Sequence, residues 1–171
     1  ALDMLEADKD RIFVAPTIGM AHITGQGEGK DYGIDYDHPV ALFFRIEGEK
    51  GVENMKALKK RGVRVLPGGD YGFAWNPIGT NARDLSHFVK LLDFSPLEAI
   101  RAATEFGGAL MQMDVGQVKE GYLADLLLVD GDPSKDNEIL QDAKRLTAIM
   151  KDGAFHKAPE TAAAAGAVAA E

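Results

Sequence analysis

The chain has 171 residues, no cysteine and a formal net charge of −8, which excludes disulfides, Cys-ligated zinc, thiol nucleophiles and the basic surface that nucleic acid phosphates require. Its 46% apolar and 27% charged residues are globular usage, and the length suits one ordinary domain. No apolar run approaches the roughly 20 residues that cross a bilayer, so neither nucleic acid nor membrane is an expected partner, and the cytoplasm is the expected compartment.

In chain order, Ala1-Leu2-Asp3-Met4-Leu5-Glu6 opens a short amphipathic helix over 2–9 with no initiator Met, which leads us to expect a fragment. Arg11-Ile12-Phe13-Val14-Ala15-Pro16-Thr17 has the composition of a strand buried on both faces and closed by Pro16. Residues 19–39 carry five glycines among Tyr, Asp and His and predict a long loop. Its segment Asp31 to His38 lacks the sharp-turn Gly and closing Glu of a calcium loop, and suits a lid better. Helical spacing returns over 40–61, with Val52, Met55 and Leu58 on one side and Gly62 as a left-handed C-cap. The basic run Lys59, Lys60, Arg61 complements the carbonyls at that helix end.

Val63-Arg64-Val65-Leu66-Pro67 predicts a second strand, and the order strand, loop, helix, strand is the unit of parallel α/β folds. A helix is expected over 80–92. Another starts at Ser95-Pro96-Leu97-Glu98, with Ser at N-cap, Pro at N1 and Glu at N3, and runs to Gly107-Gly108. Beyond Asp114 the period shortens to extended pieces at 116–119, 124–129 and 146–151, with Asp125 and Asp132 as turn residues. The tail 159–171 is Ala-rich and of low complexity.

The chemistry centres on Gly68-Gly69-Asp70-Tyr71-Gly72, directly after the second strand. A carboxylate just past the C-terminal end of a parallel strand lies where α/β barrels build active sites, and it can ligate a metal or accept a proton from water. The same residues also describe a plain tight turn, and the local pattern leaves both open. His22 follows the first strand on the same side and is a candidate substrate contact, beside the simpler reading of a solvated loop histidine. Tyr71 is a candidate to line the pocket. Phe73 and Trp75 suit either stacking on substrate or packing a loop onto the rim. His38, His87 and His156 are expected to be structural or surface residues.

Several segments in fixed order resemble the imidazolonepropionase and prolidase-like branch of the amidohydrolase superfamily. Val14-Ala15-Pro16-Thr17 resembles the seventh barrel strand, and 62–70 the eighth with its metal-site Asp. Ser95 to Thr104 resembles the following helix. Gly116 to Pro133, containing Ala124-Asp125-Leu126-Leu127-Leu128-Val129, resembles the return to a β-sandwich, and Ile149 to Phe155 the closing strand and turn.

The resemblance implies an α/β chain forming the C-terminal portion of a (β/α)8 barrel plus part of a small β-sandwich, divided as 1–112, 113–158 and the tail 159–171. It implies a metal-dependent hydrolase of a C–N bond in an amide, cyclic amide, carbamate or peptide, using one or two divalent ions, zinc being the expected one. Asp70 inherits the metal-binding and proton-shuttling role, and His22 and Tyr71 are the expected substrate contacts. The family's His-x-His, its central Lys or carboxylate and its two later histidines match nothing here, so the remaining barrel polypeptide is an expected partner, as are a small-molecule substrate and an oligomer. The usual Gly-Thr-Asp is replaced by Gly-Gly-Asp. The alternative is a non-catalytic structural or binding subunit of the same fold. A third possibility, a free-standing small α/β domain, would leave strand edges exposed.

Overall fold

The architecture is taken from a computed structural model, which describes residues 1–159; the expected Ala-rich tail falls outside the described residues but for its first residue. Helix α3, Pro39–Lys60, organises the first two-thirds of the chain. It starts where Pro39 fixes the first-turn backbone and His38 caps it, Nδ1 accepting from the Val40 amide at 3.2 Å. It stops as expected at Gly62, whose φ is +81°. The Gly62 amide donates to Lys59 O at 2.9 Å and the Val63 amide to Leu58 O at 3.0 Å, the paired bonds of a Schellman motif, with Val63 and Leu58 both buried.

The chain then enters β2, Arg64–Val65, which pairs in parallel with β1, Phe13–Val14, in the register Phe13 to Arg64 and Val14 to Val65. The Leu66 amide extends the ladder to Val14 O at 3.0 Å. The strand expected over 11–17 is thus paired over two residues only. Helix α1, Leu2–Ala7, lies against α3 through the Arg61 guanidinium, which bonds Asp3 at 2.5 Å and Glu6 at 3.0 Å. Lys59 meanwhile reaches Asp93 O at 2.5 Å and Glu98 at 3.0 Å. The basic run therefore links α3 to its neighbours as well as facing its C-terminus.

The long glycine-rich loop expected over 19–39 is corrected: Ile18–Gly25 forms helix α2, and Lys30–Tyr32 makes one 3-10 turn. Helices α4, Arg83–Leu92, and α5, Pro96–Ala103, follow, the latter opened by the expected capping box. The single helix expected from Ser95 to Gly108 is broken at Thr104, whose hydroxyl donates back to Ile100 O at 2.8 Å, and resumes as α6, Glu105–Met111. Ile18, Leu58, Val63, Val65, Leu85, Phe88, Leu92 and Phe94 fill one core between α2, α3, α4 and the β1–β2 pair, with the Phe88 and Phe94 rings 4.9 Å apart.

A second, antiparallel sheet holds β3, Leu126–Val129, β4, Leu146–Lys151, and β5, Ala154–Lys157, in the order β3-β4-β5. The piece expected at 116–119 is not a strand; Gly116 instead turns back tightly onto the Thr104 carbonyl, with φ +79°. Asp132 serves its expected turn, accepting from the Ser134 amide at 3.1 Å, whereas Asp125 lies just before β3 and accepts from the Asp152 amide of the β4–β5 turn at 2.7 Å. The fold is mixed α/β, and among the described residues no barrel closes.

Candidate active site

Both parallel strands end in a non-glycine residue with left-handed backbone: Thr17 after β1, φ +54°, and Asp70 after β2, φ +49°. Such conformations cost about 1 to 3 kcal/mol each and persist only where the surroundings impose them, which is why they gather at functional sites. Asp70 is exposed and shares a cavity of about 390 Å³ with Thr17, Met20, Phe44, Phe73 and Trp75. The wall of that cavity is apolar and aromatic, and Asp70 is its acid. Ile34, within the segment expected to be a lid, and Val40, in the first turn of α3, also line it.

The loop after Asp70 is anchored at two points. The Trp75 indole donates to Thr24 Oγ1 at 3.0 Å, Thr24 being wholly buried on α2. Asn76 folds under the turn, its amide donating to Gly69 O at 2.9 Å and Asp70 O at 3.3 Å.

His22 stands on α2, not in a loop, and faces a neighbouring cavity of about 500 Å³ with Tyr36, Arg45, Glu49 and Glu53. Ala21 and Phe44 form a wall common to the two cavities, so His22 adjoins the Asp70 cavity without lining it. Tyr71 turns the other way from Asp70, into a third space of about 320 Å³ bounded by Gly69, Asn81, Asp84 and Ala103. The three residues expected at the site are therefore brought close together but do not share one cavity.

Asp84, not among the expected site residues, stands between Tyr71 and His87. It is 5% exposed, near the start of α4. Its carboxylate is flanked by two glycines that leave it room: a Cβ on Gly19 would meet Oδ1 well inside 3.0 Å, and one on Gly69 would meet Oδ2 at 2.6 Å. The Tyr71 phenol is pushed above its ordinary range by burial first, then by the charge and hydrogen bond of Asp84. His87 Nδ1 lies 3.7 Å from Asp84 Oδ1, is buried and has no hydrogen-bond partner among the described residues. The His22 ring stands edge-on to His87 at 5.3 Å, and burial, then His87, hold the His22 imidazole below its ordinary value. A polar row, buried at Asp84 and His87 and half-buried at Tyr71 and His22, thus runs beneath the strand ends. The spacing of Asp84 and His87, one helical turn apart on α4, was the available signal for it.

Residues 10–155 match the Amidohydrolase family. The chain belongs to that family. Among curated proteins, the ochratoxinase of Aspergillus niger is 33% identical over 103 residues, which is 58% of this chain and 21% of the ochratoxinase. Its crystal structure superimposes with a TM-score of 0.77 at 25% identity over 92% of this chain and 35% of that one. A Xaa-Pro dipeptidase with bound methionine gives 0.70 at 23% identity, covering 92% and 37%. A prolidase complexed with N-methylphosphonate-L-proline gives 0.76 at 22%, covering 92% and 38%. This amidohydrolase chain therefore spans between a fifth and two-fifths of the relatives it matches.

Proposed function

We propose that this chain contributes the catalytic carboxylate, Asp70, of a metal-dependent hydrolase that cleaves a C–N bond in a small-molecule amide, cyclic amide, carbamate or peptide. The observation that carries the proposal is the position of Asp70: an exposed acid in left-handed backbone past the end of a parallel strand, at the edge of an apolar cavity large enough for a small ligand. The family membership and the ochratoxinase and prolidase likenesses point the same way. In this reading β1 and β2 are the seventh and eighth strands of a (β/α)8 barrel within 1–112, and the β3-β4-β5 sheet, within 113–158, is part of a β-sandwich. The exposed Leu126, Leu127 and Leu128 of β3 suit a sheet covered by further strands.

The residues of this chain do not by themselves fit a metal. Among the described residues, no group of three or more His, Asp or Glu is placed to hold an ion. The expected zinc, as one or two ions, and its histidine ligands are assigned to polypeptide beyond this sequence, on the same chain or another. What Asp70 itself supplies is a carboxylate that accepts the proton of an attacking water and returns it to the leaving nitrogen. His22 and Tyr71 are proposed as substrate contacts, His22 by opening toward the adjoining cavity and Tyr71 from beneath the Gly69 turn. The exposed Leu42, Phe43 and Ile46 of α3 suit coverage by that further polypeptide or by another subunit of an oligomer. A cytoplasmic enzyme is the proposed setting, on the absence of cysteine; among the described residues no helix is long and apolar enough to cross a membrane.

The test is to prepare this chain alone and with any co-purifying polypeptide, and to measure bound zinc and amide hydrolysis in each. Zinc and hydrolysis in the assembled sample alone are the expected result. Assembly without either would favour the second reading, a non-catalytic structural or binding subunit.

A further inference from the structure

The carbonyls at the Asp70 turn are gripped by one side chain, that of Asn76. Asn76 is 3% exposed, and its amide donates to two successive carbonyls, Gly69 O at 2.9 Å and Asp70 O at 3.3 Å. Its backbone closes the same loop: the Asn76 amide donates to Phe73 O at 2.9 Å, and Asn76 O accepts from the Gly72 amide at 3.0 Å. A buried side-chain amide needs partners for its donors, and here the carbonyls on either side of the Asp70 amide supply them. The next residue back, Trp75, pins the loop to Thr24 of α2 at 3.0 Å. Among the described residues, no other side chain bonds Gly69 O or Asp70 O to oppose relaxation of Asp70 from φ +49° to an ordinary negative value.

We infer that Asn76 is the positioning residue of Asp70: by gripping the Gly69 and Asp70 carbonyls it fixes the turn that holds the carboxylate at the cavity shared with Thr17 and Trp75. The inference rests on the reading of Asp70 as catalytic. A carboxylate that must meet a water and a leaving nitrogen loses rate when displaced by about 1 Å, commonly about 100-fold, while ground-state binding changes little.

The experiment uses the natural polypeptide or complex that carries this sequence, with Asn76→Ala, Asn137→Ala and Asp70→Asn in parallel. Asn137 is a matched control, 2% exposed, with its amide on Leu85 O of α4 at 2.9 Å. Asn76→Ala should lower kcat about 100-fold with KM nearly unchanged, and a crystal structure should show Asp70 out of the left-handed region. Asn137→Ala should lower the thermal midpoint by a similar amount and leave kcat alone. Unchanged kcat in Asn76→Ala, an equal kcat loss in Asn137→Ala, or Asp70 retained near φ +49° in Asn76→Ala would overturn the inference. If Asn76→Ala fails to fold, the native protein still decides: NMR should show the Asn76 side-chain amide protected from exchange, and free exchange would overturn the inference. Full turnover in Asp70→Asn would overturn the reading of Asp70 itself; loss there with full turnover in Asn76→Ala would overturn this inference alone.

Discussion

Replacing Gly19 by alanine isolates the packing beneath the strand ends. In most helices that exchange stabilises, by about 1 kcal/mol, because glycine loses more backbone freedom on folding. Gly19 lies in the first turn of α2 without positive φ, so backbone conformation does not oppose the change. The added methyl would, however, meet Asp84 Oδ1 well inside 3.0 Å and His87 Nδ1 at 3.0 Å. Both neighbours are buried, so neither can swing out into solvent. Overpacking costs about 1 to 3 kcal/mol; a contact this close between buried groups lies in the upper part of that range, about 2 to 3 kcal/mol, and setting the propensity gain of about 1 kcal/mol against it leaves a net loss of about 1 to 2 kcal/mol. For a chain of this size that is a fall in thermal midpoint of about 2 to 8 °C, measured by circular dichroism. Asp84→Ala removes the carboxylate that the methyl meets, so the double variant should recover most of the loss, with a coupling of at least about 1 kcal/mol in the cycle. A neutral or stabilising Gly19→Ala, or additive effects, would refute the close packing of α2 on Asp84.

Ser95→Ala removes the cap of α5, where Ser95 Oγ accepts from the Glu98 amide at 3.2 Å and Glu98 answers the Ser95 amide at 2.7 Å; the expected cost is about 1 kcal/mol by chemical denaturation, and none would show the capping box to be idle. His22 is held below its ordinary value of 6.5 by burial, then by His87. The unfolded chain therefore binds that proton more tightly, and the stability His22 contributes is fully present above pH about 6.5 and lost as pH falls below it. The thermal midpoint should drop more steeply between pH about 7 and about 5 in the native chain than in His22→Gln; equal slopes would contradict the burial argument.

The sequence disclosed elements whose local signals agree with their tertiary surroundings. The capping box at Ser95, Pro39 at the start of α3 and Gly62 at its end each act within a few residues, and each is present where expected. Helix α2 was illegible for the opposite reason. Ile18, Gly19, Met20, Ile23, Thr24 and Gly25 are all buried, so there is no polar face to give a period, and its glycines, which suggest a loop, answer to packing: Gly19 to Asp84, Gly25 to Arg45. Gly116 likewise answers to packing, since a Cβ there would meet the Thr104 carbonyl at the break between α5 and α6. The placement of Asp70 after a parallel strand was legible through the strand and glycines before it. The row of Tyr71, Asp84, His87 and His22 was signalled only by the Asp84–His87 spacing on α4, because its other members come from α2 and the turn after β2.

The central claim is that Asp70 moves the proton in C–N hydrolysis, and the most direct measurement is turnover by Asp70→Asn in the assembled enzyme, with thermal midpoint recorded on the same sample. Asparagine is nearly isosteric and cannot accept the proton, so kcat should fall by about 10²- to 10⁴-fold while the midpoint, set by the core around Phe88 and Leu92, stays in place. Turnover equal to that of the native enzyme would contradict the account.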